Sequence, residues 1–528
     1  MNNNFNHRIT KILRHIIGIL FLYLSLSSAA FCKYRQGINI KDFGAVGDGK
    51  ALDTKAINDA IDSAVKRGGG TVYFPPGTYL SFSIHLKSNI ALYLDQGCTI
   101  VAANSDSAAL TGYDEAEANE WGDKYHYQDF GHSHWHNSLI WGENLENISI
   151  LGTGAIYGKG LSRGLGAQRK GMGNKAISLK LCRNVILKDF TILNGGHFGI
   201  LATGADNLTI DNLKMDTNRD GMDIDCCSNV RISNCTINSP YDDAICLKSS
   251  FALGYAKPTQ NVTITNCEVS GYDLGTFYKG TYERKEWNSV PDKEGPTGRI
   301  KFGTESNGGF KNITISNCIF DYCRGLALET VDGGLLEDIS ISNITMRDIV
   351  NAPIFLRLAA RMRGPQGTAV GSLRRVSISN VRAYNADSHF ASIISGIPGH
   401  DIEDVQLNNI RIYYRQMDSA QNKIPFVVPE HEKVYPEPAK MGIMPAYGFF
   451  IRHAKDIQLN NVEVGFLGTE TRPAFVINEV KGITITGIKA QAAPAAKKFI
   501  LKNVYNFRLQ QSGELKDRNY KKVDSTSF

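Results

Sequence analysis

The chain has 528 residues, 58 Lys and Arg against 52 Asp and Glu, and 42% apolar residues. That apolar share at low net charge can bury a core, which excludes a disordered chain, and a lone long apolar run excludes a multi-span membrane protein. The small basic surplus gives no support for nucleic-acid binding, the 51 glycines follow no Gly-X-Y period, and length by itself suggests roughly three domains.

Residues 1–30 read as an export signal. Arg8, Lys11 and Arg14 precede an apolar run from Ile16 to Leu26, and Ser28 and Ala30 supply small residues before a cleavage point at Phe31. Cys32 lacks the small residue that lipid attachment wants before it. Three of the basic residues leave with this segment, so the remainder is nearly neutral. Residues 37–110 are expected to form an N-terminal cap and the first strands. Asp53 is the expected N-cap of a helix whose apolar stripe is Ala56, Ile57, Ala60, Ile61, Ala64 and Val65, stopped by Gly68-Gly69-Gly70. A strand, a turn and a second strand follow over Thr71–Tyr79.

From about residue 145 one phrase recurs: an apolar residue, a polar one, Ile or Leu, a polar one, then Asn. It stands as Leu208-Thr-Ile-Asp-Asn212, Val230-Arg-Ile-Ser-Asn234, Val262-Thr-Ile-Thr-Asn266 and Ile313-Thr-Ile-Ser-Asn317, and it continues to Ile457-Gln-Leu-Asn-Asn461. The alternation has period two, so each copy is a short strand with one buried face. The closing Asn suits a left-handed turn. Most copies begin 22 to 37 residues after the last, a spacing that suits one solenoid coil of several strands. The expected fold is all-β: a right-handed parallel β-helix, single-stranded, with an N-terminal helical cap. Its main body spans 111–510, and 511–528 reads as a loose polar tail. Asn207, Asn261, Asn312 and Asn343 match the glycosylation sequon but are better explained as repeat residues. Cys235, Cys267 and Cys318 follow Asn at equivalent points and suggest a buried column.

The phrase Asp42-Phe-Gly-Ala-Val-Gly-Asp-Gly49 resembles the start of pectin-degrading β-helix enzymes. Asn218-Arg-Asp-Gly-Met-Asp-Ile-Asp225 followed by Asp242-Asp-Ala-Ile-Cys-Leu-Lys-Ser249 resembles the two aspartate motifs of polygalacturonases, glycoside hydrolase family 28. The resemblance runs from about residue 38 through most of the chain. Asp220 and the Asp242/Asp243 pair are one coil apart, so they should stand side by side. Clustered carboxylates raise one another's pKa, which keeps one as an acid while others serve as bases. The resemblance implies Asp242 as general acid, with Asp220 and Asp243 activating the water of an inverting hydrolysis; spacing alone assigns no roles.

Two family motifs that hold the galacturonate carboxylate are absent. Arg299-Ile-Lys301 carries the letters of one, but the equivalent position reads Gly325-Leu-Ala-Leu-Glu-Thr330, where an anionic Glu329 would repel a sugar carboxylate. Replacement cations are sought on neighbouring coils at Lys248, Lys301 and Arg357, with Arg299 close by, on the premise that Met222, Ile245, Ile300, Leu326 and Ile354 share one inward column. Asn218, Asp223 and Tyr447 complete the candidate substrate contacts. Long insertions at 271–298 (Tyr272, Tyr278, Tyr282, Trp287) and 415–450 (Tyr435, Glu437, Tyr447) are candidate cleft walls that would favour attack at a chain end. Trp121, His126, His132, His134, Trp135 and His136 crowd an early loop, and Arg452-His453 is a weaker cleft candidate.

The expectation is an exported, monomeric hydrolase of pectic oligo- or polysaccharide, with no metal, organic cofactor or nucleic-acid partner. The altered cations leave open a rhamnogalacturonan or neutral-sugar linkage. A β-helix polysaccharide lyase and a non-catalytic glycan-binding solenoid are the alternatives from other classes.

Overall fold

A computed structural model describes residues 37–105, 112–118, 132–164, 170–284, 295–417, 427–494 and 496–528. Residues 1–30, expected to be an export signal, and Cys32, Trp121, His126 and Trp287 lie outside the described residues.

The repeat phrases become strands of one continuous parallel ladder. In the early coils three short strands make a turn of the helix. Phe198–Thr203, Asp206–Asp211 and Lys214–Asp216 are one such set, and each pairs with its counterpart in the next coil at Asp220–Asp225, Ser228–Ser233 and Thr236–Asn238. Later coils fuse the second and third strands into one, as in Phe310–Asp321. The result is a right-handed parallel β-helix. Its interior is filled by stacked Ile, Leu, Val and Phe, one file per inward position. Met222, Ile245 and Ile300 stand in register, as do Leu326 and Ile354, and all are buried.

Turns between strands are made by asparagines at positive φ, near 54–58° at Asn207, Asn229, Asn261 and Asn312. Their side-chain amides hydrogen-bond from coil to coil: Asn261 Nδ2 donates to Asn229 Oδ1 at 3.0 Å and Asn312 Nδ2 to Asn261 Oδ1 at 2.8 Å. A second file runs through Asn266, Asn317, Asn343, Asn380, Asn409 and Asn461. The sequon asparagines Asn261, Asn312 and Asn343 are members of these files, and Asn207 Nδ2 donates in the same way to Asn184 Oδ1 at 2.9 Å. Cys235, Cys267 and Cys318 form a buried column.

The helix Thr54–Lys66 caps the first coil with Ala56, Ile57, Ala60, Ile61 and Ala64 buried. Val65, expected in that stripe, is exposed and lies outside the helix's buried face. Asp53 occupies the N-cap position, but its carboxylate takes the Val46 and Gly47 N–H groups at 2.6 and 3.1 Å instead of a helix amide. It fastens the preceding turn to the helix. Among the described residues no helix is long and apolar enough to cross a membrane.

The other end departs from expectation. Residues 511–528 do not trail loosely: Arg518–Ser527 is a strand, antiparallel to Phe499–Gln510. Its polar composition follows from its position, with one face on solvent and the backbone supplying the pairing.

Candidate active site

Asp220 opens the strand Asp220–Asp225, and Asp243 lies just before Ile245–Ser249 on the next coil. Gly221 lets them approach. Its N–H donates to the Asp243 carbonyl at 2.9 Å, and a Cβ there would meet the Ala244 carbonyl oxygen at 2.3 Å. One oxygen from each of Asp220, Asp242 and Asp243 falls within 4.8 Å of the others.

Bases brace the cluster. Arg219 Nε is 3.0 Å from Asp242 Oδ2 and 3.7 Å from Asp220 Oδ2, and its guanidinium also meets the His197 ring. Arg299 Nε donates to Asp243 Oδ1 at 2.9 Å, and Lys301 Nζ lies 3.5 Å from Oδ2. These contacts divide the carboxylates electrostatically. Burial would raise Asp243, but Lys301, Arg299 and Lys248 outweigh it and bring its pKa down to about 2. Asp220 is pushed well up, first by burial and then by repulsion from Asp242 and Asp223. Protonation is therefore favoured at Asp220 and ionisation at Asp243.

Two cavities flank the cluster. One of about 560 Å³ is lined by Arg163, Tyr241, Asp242, Asp243, Arg299 and Lys440, among others. The other, about 140 Å³, is lined by Asp220, Asp242, Asp243, Lys248, Lys301 and Arg361, with His132, Glu305, Arg363 and Tyr435 among the rest. Asp242, Asp243, Arg219 and Tyr435 border both.

Of the residues singled out in the sequence, Asp220, Asp242, Asp243, Lys248, Arg299 and Lys301 come together here. Lys248 is already engaged: its Nζ is 2.9 Å from Glu305 and 3.7 Å from Asp223. Asp223 is fully buried beneath the cavity, where His132 Nε2 meets it at 3.1 Å, so it supports Lys248 and His132. Asn218 Oδ1 accepts the Gly196 N–H at 3.0 Å, and the residue borders neither cavity. Arg357 is not at the site. Its guanidinium donates to carbonyls of Ser395, Gly396, Glu430 and His431. Tyr447 is fully buried in the helix interior, with its hydroxyl donating to the Gln491 carbonyl at 2.6 Å; the strand after it turned its ring inward, away from any cleft. Arg452 serves the distal loop, and His453 meets Glu430.

Glu329 also behaves differently from expectation. It is buried 3.6 Å behind Lys301 Nζ, and burial pushes its pKa up to about 7. It backs the lysine and does not line either cavity, so it presents no repelling charge to a ligand. In the 271–284 segment Tyr272, Phe277 and Tyr282 pack together, Tyr272 also meets Tyr322 of the next coil, and Asp216 accepts the Gly275 and Tyr278 N–H groups. None of its aromatics lines the two cavities.

The wall opposite the aspartates is the distal loop 427–447, which five buried arginines pin. Arg357 and Arg452 hold the carbonyls of Val428 to His431, Arg299 and Arg324 hold the Glu437 carboxylate, and Arg472 holds the carbonyls of Met444 and Ala446. Arg219, Arg324, Arg361 and Glu305 were not singled out from the sequence. Arg219 lies inside a quoted motif, the one signal that pointed to it.

Comparison with known proteins agrees with the motifs. A family model described as rhamnogalacturonase A/epimerase, pectate lyase-like, matches residues 37–273. A probable polygalacturonase of Vitis vinifera is 24% identical over 440 residues, 77% of this chain and 79% of that protein. Among solved structures, a family 28 exopolygalacturonase of Yersinia enterocolitica superposes with a TM-score of 0.61 at 20% identity, covering 86% of this chain and 79% of that one. A hyperthermoactive exopolygalacturonase from Thermotoga maritima superposes with a TM-score of 0.56 at 17% identity, covering 93% and 95%. These two share the fold, and the findings together support the polygalacturonase family.

Proposed function

We propose that this polygalacturonase-like glycoside hydrolase is exported, acts as a monomer and removes sugar from the end of a pectic chain. The observation that carries the reading is the braced carboxylate cluster standing between a small cavity and a larger one. Glycoside hydrolysis needs a proton for the leaving oxygen and an ionised carboxylate to direct water. Asp242 borders both cavities, where the scissile oxygen would lie, and is the donor in this reading. Asp220, next to it, shares a proton with Asp242, which passes it to the leaving oxygen, and the ionised Asp243 orients the attacking water and takes its proton for inversion. The small cavity admits a terminal ring, and the pinned loop, whose Tyr435 borders both cavities, leaves little room for a polymer to pass, which favours an exo mode. Lys301, Arg361, Arg363 and Arg219 beside that cavity favour an acidic sugar over a neutral one.

The test is a product screen on homogalacturonan, rhamnogalacturonan I and rhamnogalacturonan II fragments. Saturated monomer should accumulate from the first time points, EDTA should leave the rate unchanged, and proton NMR should show the first-formed anomer inverted. Asp242→Asn should lower turnover at least about a hundredfold while preserving the fold. Unsaturated products would make the protein a lyase, and binding without cleavage would make it a glycan-binding solenoid.

A further inference from the structure

Both oxygens of Asp243 are faced by bases that answer to one turn of the distal loop. Arg299, which donates through Nε to Oδ1, spends the rest of its guanidinium on Glu437: Nη2 to Oε2 at 2.8 Å and Nη1 to Oε1 at 3.3 Å. Lys301, beside Oδ2, donates to the Tyr435 hydroxyl at 3.0 Å. Tyr435 and Glu437 are separated only by Pro436, and Pro438 follows, so the turn has little backbone freedom. Glu437 is itself held by Asn351 Nδ2 at 2.6 Å and Arg324 Nη1 at 3.2 Å. Arg299, Arg324, Asn351 and Glu437 are all buried. A guanidinium is planar with fixed donor directions, so gripping one side of it sets the direction of the other.

We propose that Glu437 is a positioning residue for the hydrolytic centre: it fixes the Arg299 fork, and through it the place and direction of the Asp243 carboxylate. The inference rests on Asp243 serving the hydrolysis proposed above. A simpler role would be counter-charge, in which Glu437 only neutralises a buried Arg299. The two roles differ in what they demand. A counter-charge needs a carboxylate anywhere near; a positioning residue needs this reach.

Glu437→Asp keeps the charge and shortens the reach by one methylene, and Glu437→Gln keeps the reach and removes the charge. Positioning predicts that Glu437→Asp lowers kcat about tenfold or more with KM within about twofold, because Asp243 is misdirected in the reacting complex. Its acid limb of kcat against pH should move to higher pH as Arg299 is drawn off Asp243. In Glu437→Gln the freed fork should likewise let the limb rise; a counter-charge alone would let Arg299 pull harder on Asp243 and send the limb down. Either variant that folds, judged by circular dichroism, decides the matter alone. Wild-type kcat and pH profile in Glu437→Asp, or a downward limb in Glu437→Gln, overturns the proposal. An unmodified protein that cleaves none of the pectic fragments overturns the function itself, a distinct result read before any variant is made.

Discussion

Asp220 and Asp243 stand on neighbouring coils yet are driven in opposite directions, because bases press on one and carboxylates on the other. Burial first, then Asp242 and Asp223, raise Asp220. A carboxyl whose folded pKa is raised loses stability as pH climbs past its unfolded value, so at neutral pH this residue costs the fold something. Asp220→Asn removes the buried ionisable group and keeps the shape. It should raise the melting temperature at pH 7, read by calorimetry, while turnover falls at least about a hundredfold; an unchanged or lower melting temperature would show that the proton on Asp220 carries no strain. Asp243 runs the other way. With a folded value of about 2 against an ordinary 3.8, it contributes stability that is whole above about pH 3.8 and lost as pH falls toward 2. Asp243→Asn should therefore narrow the difference in unfolding free energy between pH 5 and pH 2.5, a comparison that urea titration makes directly. Both aspartates were legible in the sequence, since their 23-residue spacing equals one coil and period-two alternation says which side chains point out. Glu437 was named there only as part of a wall. Its partner Arg299 lies 138 residues away, and no local pattern joins residues across such a span. Tyr447 was misread for a related reason: an aromatic in a long insertion looks like a wall until the following strand turns it inward.

At the scale of the element, the turn asparagines do two jobs with one residue. Asn317 sits at φ 56° and takes part in two side-chain bonds of its file, donating to Asn266 at 3.3 Å and accepting from Asn343 at 3.0 Å. Alanine would keep the turn only against the left-handed penalty of about 1–2 kcal/mol and would lose both bonds. Glycine would accept the backbone angle and lose only the bonds, each worth about 0.5 kcal/mol at an exposed position. Asn317→Ala should thus cost about 2 kcal/mol and Asn317→Gly about half of that, measured from urea midpoints; equal costs would mean that the file, not the backbone angle, is what the asparagine serves. This element was legible because it repeats. The distal loop was not, because its order comes from five arginines donated by other coils, each unremarkable in its own strand.

Across the whole molecule, a solenoid extends its core coil by coil and meets its difficulty at the ends, where a strand face and edge would stand open. The helix Thr54–Lys66 covers the first coil with its buried stripe. At the other end Arg518–Ser527 pairs along Phe499–Gln510 in the antiparallel sense, which closes the edge to a further parallel strand. The last residue extends the interior as well: Phe449, Phe475, Phe499 and Phe528 stack in file with centroids 5.8, 4.6 and 5.1 Å apart. The polar letters of 511–528 hid this, because an edge strand held by backbone pairing needs little apolar content of its own. Deleting 517–528 would uncover Phe499, Leu501 and the unpaired edge beside them while leaving the aspartate coils untouched. The truncated protein should melt lower and associate with increasing concentration, visible by light scattering, yet its freshly purified monomer should keep the kcat of the full chain. A truncation that stays monomeric and melts unchanged would mean the coil stack needs no cover at this end; one that is monomeric but inactive would mean the strand reaches the site through the stack and is no mere cap.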